Sequence, residues 1–337
     1  MGKALVTGAT GFIGPHLVRI LQRQGDEVIC LRRQRSDVSR LEPLGVKFAI
    51  GDVTDKESLA AAVAGVDVVY HLAGRTAGFN MRQYLDVNEG GTRNLLEACA
   101  AQSNPPVVIH VSSLAAGGVS PRTRLRVESD PPEPVSMYGR SKLASEAAAR
   151  MFAGQVPISI VRPPVVLGEG DRASLPLFRS IWRTRLHAVP GLSRPRYSII
   201  HATDLAEMLA ATAARGQRLN PAADDATFYD GVYYVAADEH VTWGELGRMI
   251  GEALGRKPLV LPMPLAIVRG AALGAEGVAR LRRKPMVFCW DKVREAAAGS
   301  WTCSPEKAQR ELGWKVGADL LSRLAQTAAW YREQKWL

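Results

Sequence analysis

Cysteine is scarce and unpaired: Cys30, Cys99, Cys289 and Cys303 are far apart, with no Cys-x-x-Cys and no His-x-x-x-His beside them. That excludes a disulfide framework or zinc module, implies reduced thiols in a cytoplasmic setting, and leaves no metal site to expect. No apolar run is long enough to span a bilayer, because the most apolar late stretch, Leu259 to Leu273, is broken by two prolines and Arg269. The pattern there favours a helix covering a substrate pocket over an interfacial helix trailed by Arg280, Arg282, Arg283 and Lys284, and leaves open whether residues 259–284 touch a membrane. A strand opens the chain, which leaves no room for a cleaved secretory leader. No nucleic-acid module of recognisable spacing occurs either. The net charge of +10 comes mostly from scattered arginine, a solvated surface suited to an anionic small molecule rather than a nucleic acid.

With 337 residues, 47% of them apolar, the chain can bury a core large enough for one big α/β unit or a nucleotide domain with a smaller partner. Val6 to Gly14 reads VTGATGFIG, between the apolar Ala4-Leu5-Val6 and Leu17-Val18-Arg19-Ile20-Leu21. Gly8, Gly11 and Gly14 therefore fall where a buried strand turns into a helix, the arrangement that lets a backbone approach a pyrophosphate under a helix N-terminus. Their Gly-x-x-Gly-x-x-Gly spacing differs by one residue from the usual Gly-x-Gly-x-x-Gly.

A second buried strand, Glu27 to Leu31, ends in Arg32-Arg33, with no acid to hold an adenosine ribose. Two guanidinium groups there suit a 2'-phosphate, which favours NADP over NAD; the bland alternative is two surface arginines. Val46 to Ile50 is a third strand closing in Gly51-Asp52-Val53, where Asp52 reaches an adenine amino group or caps the next helix. Val66 to Gly74 gives a fourth strand ending in small residues, and the helix after it carries Asn88, Gly91 and Thr92. The fifth, Val107 to Val111, delivers Ser112-Ser113. Beyond a proline-rich loop, Tyr138 and Lys142 lie one turn apart on a helix. An ammonium beside a phenol favours phenolate and brings tyrosine into range for proton transfer near neutral pH.

A sixth strand, Ile158 to Val161, runs into Arg162-Pro163-Pro164, after which the alternation loosens. The expected organisation is a nucleotide domain over 1–166, with 198–236 returning to it, and a small substrate lobe from 167–197 and 237–337. Trp182, Leu186, Trp243, Met263 and Trp290 are candidates to line an apolar pocket or simply to be core.

VTGATGFIG, GDVTD, HLAG, NEGGTRNLLEA, VSSLAA, YGRSK, VRPPVVLG and HATDLA, in that order, resemble the extended short-chain dehydrogenase/reductases, the NAD(P)-dependent epimerase/dehydratase family. The resemblance implies a doubly wound, mostly parallel Rossmann sheet with a small C-terminal lobe. It implies that Gly8, Gly11 and Gly14 hold the pyrophosphate, Arg32 or Arg33 the 2'-phosphate, and Asp52 with Val53 the adenine. Thr10, Phe12, Ile13, Leu72, Ala73, Gly74 and Pro163 would complete the groove, and Lys142 would bind the nicotinamide ribose. Tyr138 would be the acid/base and Ser113 would hydrogen-bond the reacting oxygen, with Ser112 supporting the backbone and Asn88 holding neighbouring strands.

Two departures narrow the chemistry. Leu114-Ala115 stands where sugar-nucleotide 4,6-dehydratases carry Asp-Glu, and Val165 where sugar-nucleotide enzymes carry an asparagine for the diphosphate. The closest pattern is that of dihydroflavonol reductases and 3β-hydroxysteroid dehydrogenases, which exchange hydride between a free nicotinamide cofactor and an apolar alcohol or ketone. The expectation is an NADP(H)-favouring oxidoreductase with a small-molecule substrate and a homodimer by family analogy. The rivals are an NAD-retaining sugar-nucleotide 4-epimerase and a non-catalytic dinucleotide-binding protein.

Overall fold

The computed structural model describes residues 2–337 except 192–193, 225–226, 284 and 286–289, so Cys289 lies outside the described residues. Seven strands form the central sheet: β1 Lys3–Thr7, β2 Glu27–Arg32, β3 Lys47–Ile50, β4 Val68–His71, β5 Val107–Val111, β6 Ile158–Arg162 and, much later in the chain, β10 Val232–Tyr234. They lie in the order β3-β2-β1-β4-β5-β6-β10, and every pair is parallel. An all-parallel sheet needs both faces covered, which is why β1 and β5 read as continuous apolar runs rather than alternating ones.

Helices Gly14–Arg23 and Ala202–Arg215 cover one face, where Leu17, Leu21, Leu205 and Leu209 join Val6 and Ile109 in one core. Helices Gly91–Ala100 and Met137–Arg150 cover the other through Leu95, Leu96, Cys99 and Ala149. Each such fully buried aliphatic side chain stabilises by roughly 1.5–3 kcal/mol. The strand order reverses between β1 and β4, so their carboxyl ends diverge and open the crevice in which this topology binds ligands.

Beside the main sheet, β7 Val165–Leu167, β9 Arg196–His201 and β11 His240–Thr242 form a three-stranded sheet, and β8 Leu186–Pro190 pairs in parallel with β12 Leu259–Met263. Helices Leu175–Thr184, Trp243–Leu254 and Leu320–Glu333 pack around them through Phe178, Leu246, Ile250, Leu324 and Tyr331. Two segments link these smaller sheets to the central one. β9, which opens the 198–236 return, pairs with β7 and β11 and bridges Trp301, while its Ile200 joins the central core together with helix Ala202–Arg215. Within 237–337, Ala308, Leu312 and Trp314 turn their apolar face onto helix Ala202–Arg215 and join the central core.

Candidate active site

The glycine turn is built as the crevice requires. Gly8 has φ +69, and a Cβ there would come 2.6 Å from Ala73 N and 2.7 Å from the Leu72 carbonyl carbon. A Cβ on Gly14 would overlap the Ala9 backbone, so strand and helix meet only without one. A Cβ on Gly11 would meet only Gly8 O, at 3.1 Å, and its open side faces the cleft. Helix Gly14–Arg23 starts with no side-chain cap and with Pro15 in its first turn, leaving its free N–H groups to an anion. These features fit the diphosphate of a dinucleotide, with Thr10, Phe12, Ile13, Leu72 and Gly74 also on the cleft wall.

Beneath the turn, one chain of hydrogen bonds fixes β1 against β4. Ala73 N donates to Thr7 Oγ1 at 3.2 Å, and Thr7 Oγ1 meets His71 Nδ1 at 2.7 Å. His71 Nε2 meets Thr92 Oγ1 at 3.0 Å, and that hydroxyl donates to Asn88 O at 2.6 Å. Only a neutral His71 carrying its proton on Nε2 satisfies every member of this chain. Burial, with Lys142 adding to it, lowers the His71 pKa to about 3.

At the adenosine end, Arg32 is half-buried: its Nη1 donates to Gln34 O at 3.3 Å, its guanidinium lies 5.4 Å from the Phe48 ring, and its buried Nε has no partner. Arg33 is exposed, and its backbone N–H donates to Ser36 Oγ. The Asp52 carboxylate accepts from Thr54 N and Oγ1 in a tight turn, while Val53 is buried and its carbonyl accepts from Asn94. None of these four residues lines the main cleft; Arg40 and Arg172, which the sequence did not single out, do. The Pro163 carbonyl accepts from Leu114 N, and Pro164 and Val165 are the residues of that turn on the cleft wall.

Ser113 caps the short helix Leu114–Gly117, its Oγ accepting from Ala115 N at 3.1 Å. Tyr138 is the second residue of helix Met137–Arg150, which Ser136 caps by accepting from Gly139 N at 2.9 Å. Gly139 has no Cβ because Ala115 O occupies that space, and this close approach brings Ser113 and Tyr138 to the same cleft wall. One turn on, Lys142 is 4% exposed and its Nζ donates to Val111 O at 2.7 Å. Burial lowers its pKa to about 8, with Glu146 opposing the shift.

Under this group lies a closed charge pair. Arg162 donates to both Glu146 oxygens, at 2.9 and 2.6 Å, and to the Tyr234 hydroxyl at 3.2 Å, while Ser112 Oγ donates to Glu146 Oε1. Asn88 does not hold strands together as expected. Its amide bonds both backbone groups of Arg75 and the Ser141 hydroxyl, so it clamps the loop after β4 to the Tyr138 helix.

The cation acting on the Tyr138 phenol is not Lys142 but Lys292, whose Nζ is 5.0 Å from the ring centroid and 2.6 Å from Glu295 Oε2. Burial raises the phenol's pKa above its ordinary value, opposed by Lys292 and the Ser113 hydroxyl, so the expected lowering by Lys142 is corrected. Helix Trp290–Ala298 carries Lys292, and the Asp291 carboxylate docks it by accepting from Met137 N, at 3.1 and 3.0 Å, and Tyr138 N at 3.4 Å. Nothing local in the sequence ties residue 292 to residue 138; only the Lys-x-x-Glu spacing of 292 and 295 is visible there.

The cleft between sheet and lobe measures about 1680 Å³. Of the five expected apolar liners only Trp243 is on its wall, together with Tyr197 and Trp301. Trp182 is instead stacked between Arg256 and Arg332, while Leu186 and Trp290 are exposed. Of the stretch Leu259 to Leu273 expected to cover the pocket, the strand residues Val260 and Pro262 are on the cleft wall, whereas helix Leu265–Leu281 contributes none of its residues to it.

Comparison with known proteins agrees with this geometry. Sterol demethylase protein B of Methylococcus capsulatus is 31% identical over 98% of this chain and 98% of its own length. Ceramide reductase of Caulobacter vibrioides is 31% identical over 100% of this chain and 96% of its own. The crystal structure of gox2253 superposes with a TM-score of 0.81 at 25% identity, covering 100% of both chains. A family model described as the NAD dependent epimerase/dehydratase family matches residues 4–223. With a glycine-lined crevice at the strand-order reversal and a Ser, Tyr and Lys set beside it, this chain belongs to the NAD dependent epimerase/dehydratase family.

Proposed function

We propose that the protein is an oxidoreductase that transfers hydride between a nicotinamide cofactor, NADP(H) in preference to NAD(H), and a secondary alcohol or its ketone on a largely apolar substrate. The observation that carries this reading is the convergence of Ser113 and Tyr138 on one cleft wall, with Lys142 one turn below, beside the glycine turn. When bound, the cofactor supplies or accepts hydride at its nicotinamide C4. Gly8, Gly11 and the open helix N-terminus hold its diphosphate, and Lys142 holds the nicotinamide ribose. Tyr138 gives the proton to the reacting oxygen in reduction and takes it in oxidation, while Ser113 steadies the charge on that oxygen.

Support for NADP(H) comes from the sequence, in the missing acid at the end of β2 and the two guanidinium groups, Arg32 and Arg33, that stand in its place. An apolar substrate is supported by Val165 in place of a diphosphate-binding asparagine and by the aromatic wall of Trp243, Tyr197 and Trp301. Both full-length relatives bear names that refer to lipids, a ceramide and a sterol.

The test is to denature the purified protein, identify any released nucleotide, and titrate the native protein with NADPH and NADH. Binding NADPH at least about tenfold more tightly, from a site that carries no retained NAD, supports the reading. Stoichiometric NAD that survives dialysis would instead indicate an epimerase. Tyr138→Phe that kept full turnover on an identified alcohol or ketone would remove Tyr138 from the mechanism.

A further inference from the structure

Helix Leu265–Leu281 packs on the rest of the molecule through a narrow strip and turns an apolar face outward. Its buried residues are Ala272 and Ala279, seven apart on one side. On the opposite side, at 100° per residue, fall Ile267, Gly270, Gly274, Val278 and Leu281, with Leu273 at the edge. Ile267 is 54% exposed, Leu273 58%, Val278 44% and Leu281 86%, and a Cβ added to Gly270 or Gly274 would meet nothing within 4 Å. No charged side chain interrupts this face. Arg269, Glu276 and Arg280 lie along one flank, and Arg282 and Arg283 follow at the C-terminal end.

We propose that this helix lies on the surface of an anionic lipid bilayer, its apolar face sunk at the headgroup boundary and its arginines paired with lipid phosphates. Seventeen residues make a rod about 25 Å long, and among the described residues no helix is long and apolar enough to cross a membrane. The helix therefore lies along the bilayer, as a one-sided apolar face flanked by arginine does. Charge decides the occupant. Four arginines against one glutamate attract an acidic surface, whereas a second copy of this chain, itself at net +10, would bring the same arginines to the contact. The surface also adjoins the catalytic end of the molecule. A second cavity of about 270 Å³, lined by Leu273, Ala279, Trp290 and Phe79, reaches Met137, the residue before Tyr138. The inference stands apart from the hydride-transfer reading, since the apolar face and its arginines carry it whatever reaction the cleft performs.

The experiment is flotation of the full-length protein with vesicles of phosphatidylcholine, alone or with about one-third phosphatidylglycerol, at low and high salt. The protein should float with the acidic vesicles, less so as salt rises. The double variant Ile267→Glu/Leu281→Glu should lose binding at least about tenfold. Circular dichroism and the melting temperature should stay unchanged, because both sites are exposed. The variant Arg280→Gln/Arg282→Gln/Arg283→Gln, which leaves the apolar face intact, should lose the salt-sensitive part alone. A wild-type protein that stays with the unbound fraction, or variants that float as it does, would overturn the proposal. So would a dimer in light scattering that Ile267→Glu/Leu281→Glu converts to monomer while flotation is unchanged, since the face would then belong to a second copy.

Discussion

Replacing Arg162 by methionine should destabilise the protein far more than its single contact list suggests, and a second substitution should recover most of the loss. The Arg162 and Glu146 side chains are each 2% exposed, and two charge-assisted hydrogen bonds join them. Arg162→Met leaves the Glu146 carboxylate buried with Ser112 Oγ as its remaining partner and frees the Tyr234 hydroxyl. Breaking a buried pair from one side costs about 3–5 kcal/mol, a third or more of the net stability of many proteins. At about 2 °C per kcal/mol for a large chain, the melting temperature should fall by roughly 6–10 °C. Removing both charges leaves no unpaired carboxylate, although the buried Lys142 loses the support of Glu146, so Glu146→Gln/Arg162→Met should lose less than the single variant, about 1–2 kcal/mol. Guanidinium chloride unfolding of the wild type, the single variant and the double variant measures this directly. The reasoning fails if the single variant loses less than about 1 kcal/mol, or if the double variant is no more stable than the single.

Lys292→Met should weaken the phenolate form of Tyr138. If the phenolate charge is taken at the ring centroid, 5.0 Å from Lys292 Nζ, a unit charge acts with about 3 kcal/mol at an effective dielectric of 20. Because the Lys292 side chain keeps 32% of its surface open, screening reduces this to about 1–2 kcal/mol, roughly a tenfold smaller ionised fraction at fixed pH. In the alcohol-oxidising direction the rising limb of the kcat/KM profile should move to higher pH, and Lys292→Arg should restore it. A profile that stays in place excludes Lys292 from the proton-transfer group. Stability should also fall in mild acid. Burial holds the pKa of His71 at about 3 and that of His16 at about 4, both below the ordinary 6.5. The unfolded chain therefore takes up these protons first, and stability present above pH 6.5 is lost as pH falls toward 4, by up to about 1.4 kcal/mol per pH unit for each group. A denaturation midpoint that does not change between about pH 7 and pH 5 would contradict those buried neutral states.

The parts legible in the sequence share one property: their residues are neighbours in the chain or repeat with a strand or helix period. The glycine turn, the six alternating strands and the Tyr138–Lys142 spacing were readable because strand, turn and helix each leave a local pattern. Gly139 was readable as part of YGRSK, but its reason, the Ala115 carbonyl pressed against it, was not. Lys292, Asp291 and Glu295 escaped because their relation to Tyr138 is made only by folding across about 150 intervening residues. The lowering of the Tyr138 pKa was expected from Lys142 by spacing alone. It failed because spacing says nothing of burial, which dominates here, or of the Val111 carbonyl to which Lys142 points. Trp182 and Trp290 misled in a similar way. Composition shows an aromatic ring, whereas its neighbours decide whether it lines a cleft, stacks on arginine or faces water.

The Asp291 carboxylate that receives the first N–H groups of the Tyr138 helix also sets an order of assembly. On the ribosome the six strands and the Tyr138 helix are all made before residue 291 emerges. A nascent chain can therefore form the glycine turn, the Ser136 cap and the Gly139 approach before the last contact on the Tyr138 helix is available. The contact from Asp291 joins the Tyr138 helix only when synthesis is nearly finished, so unfinished chains carry this helix without its C-terminal support.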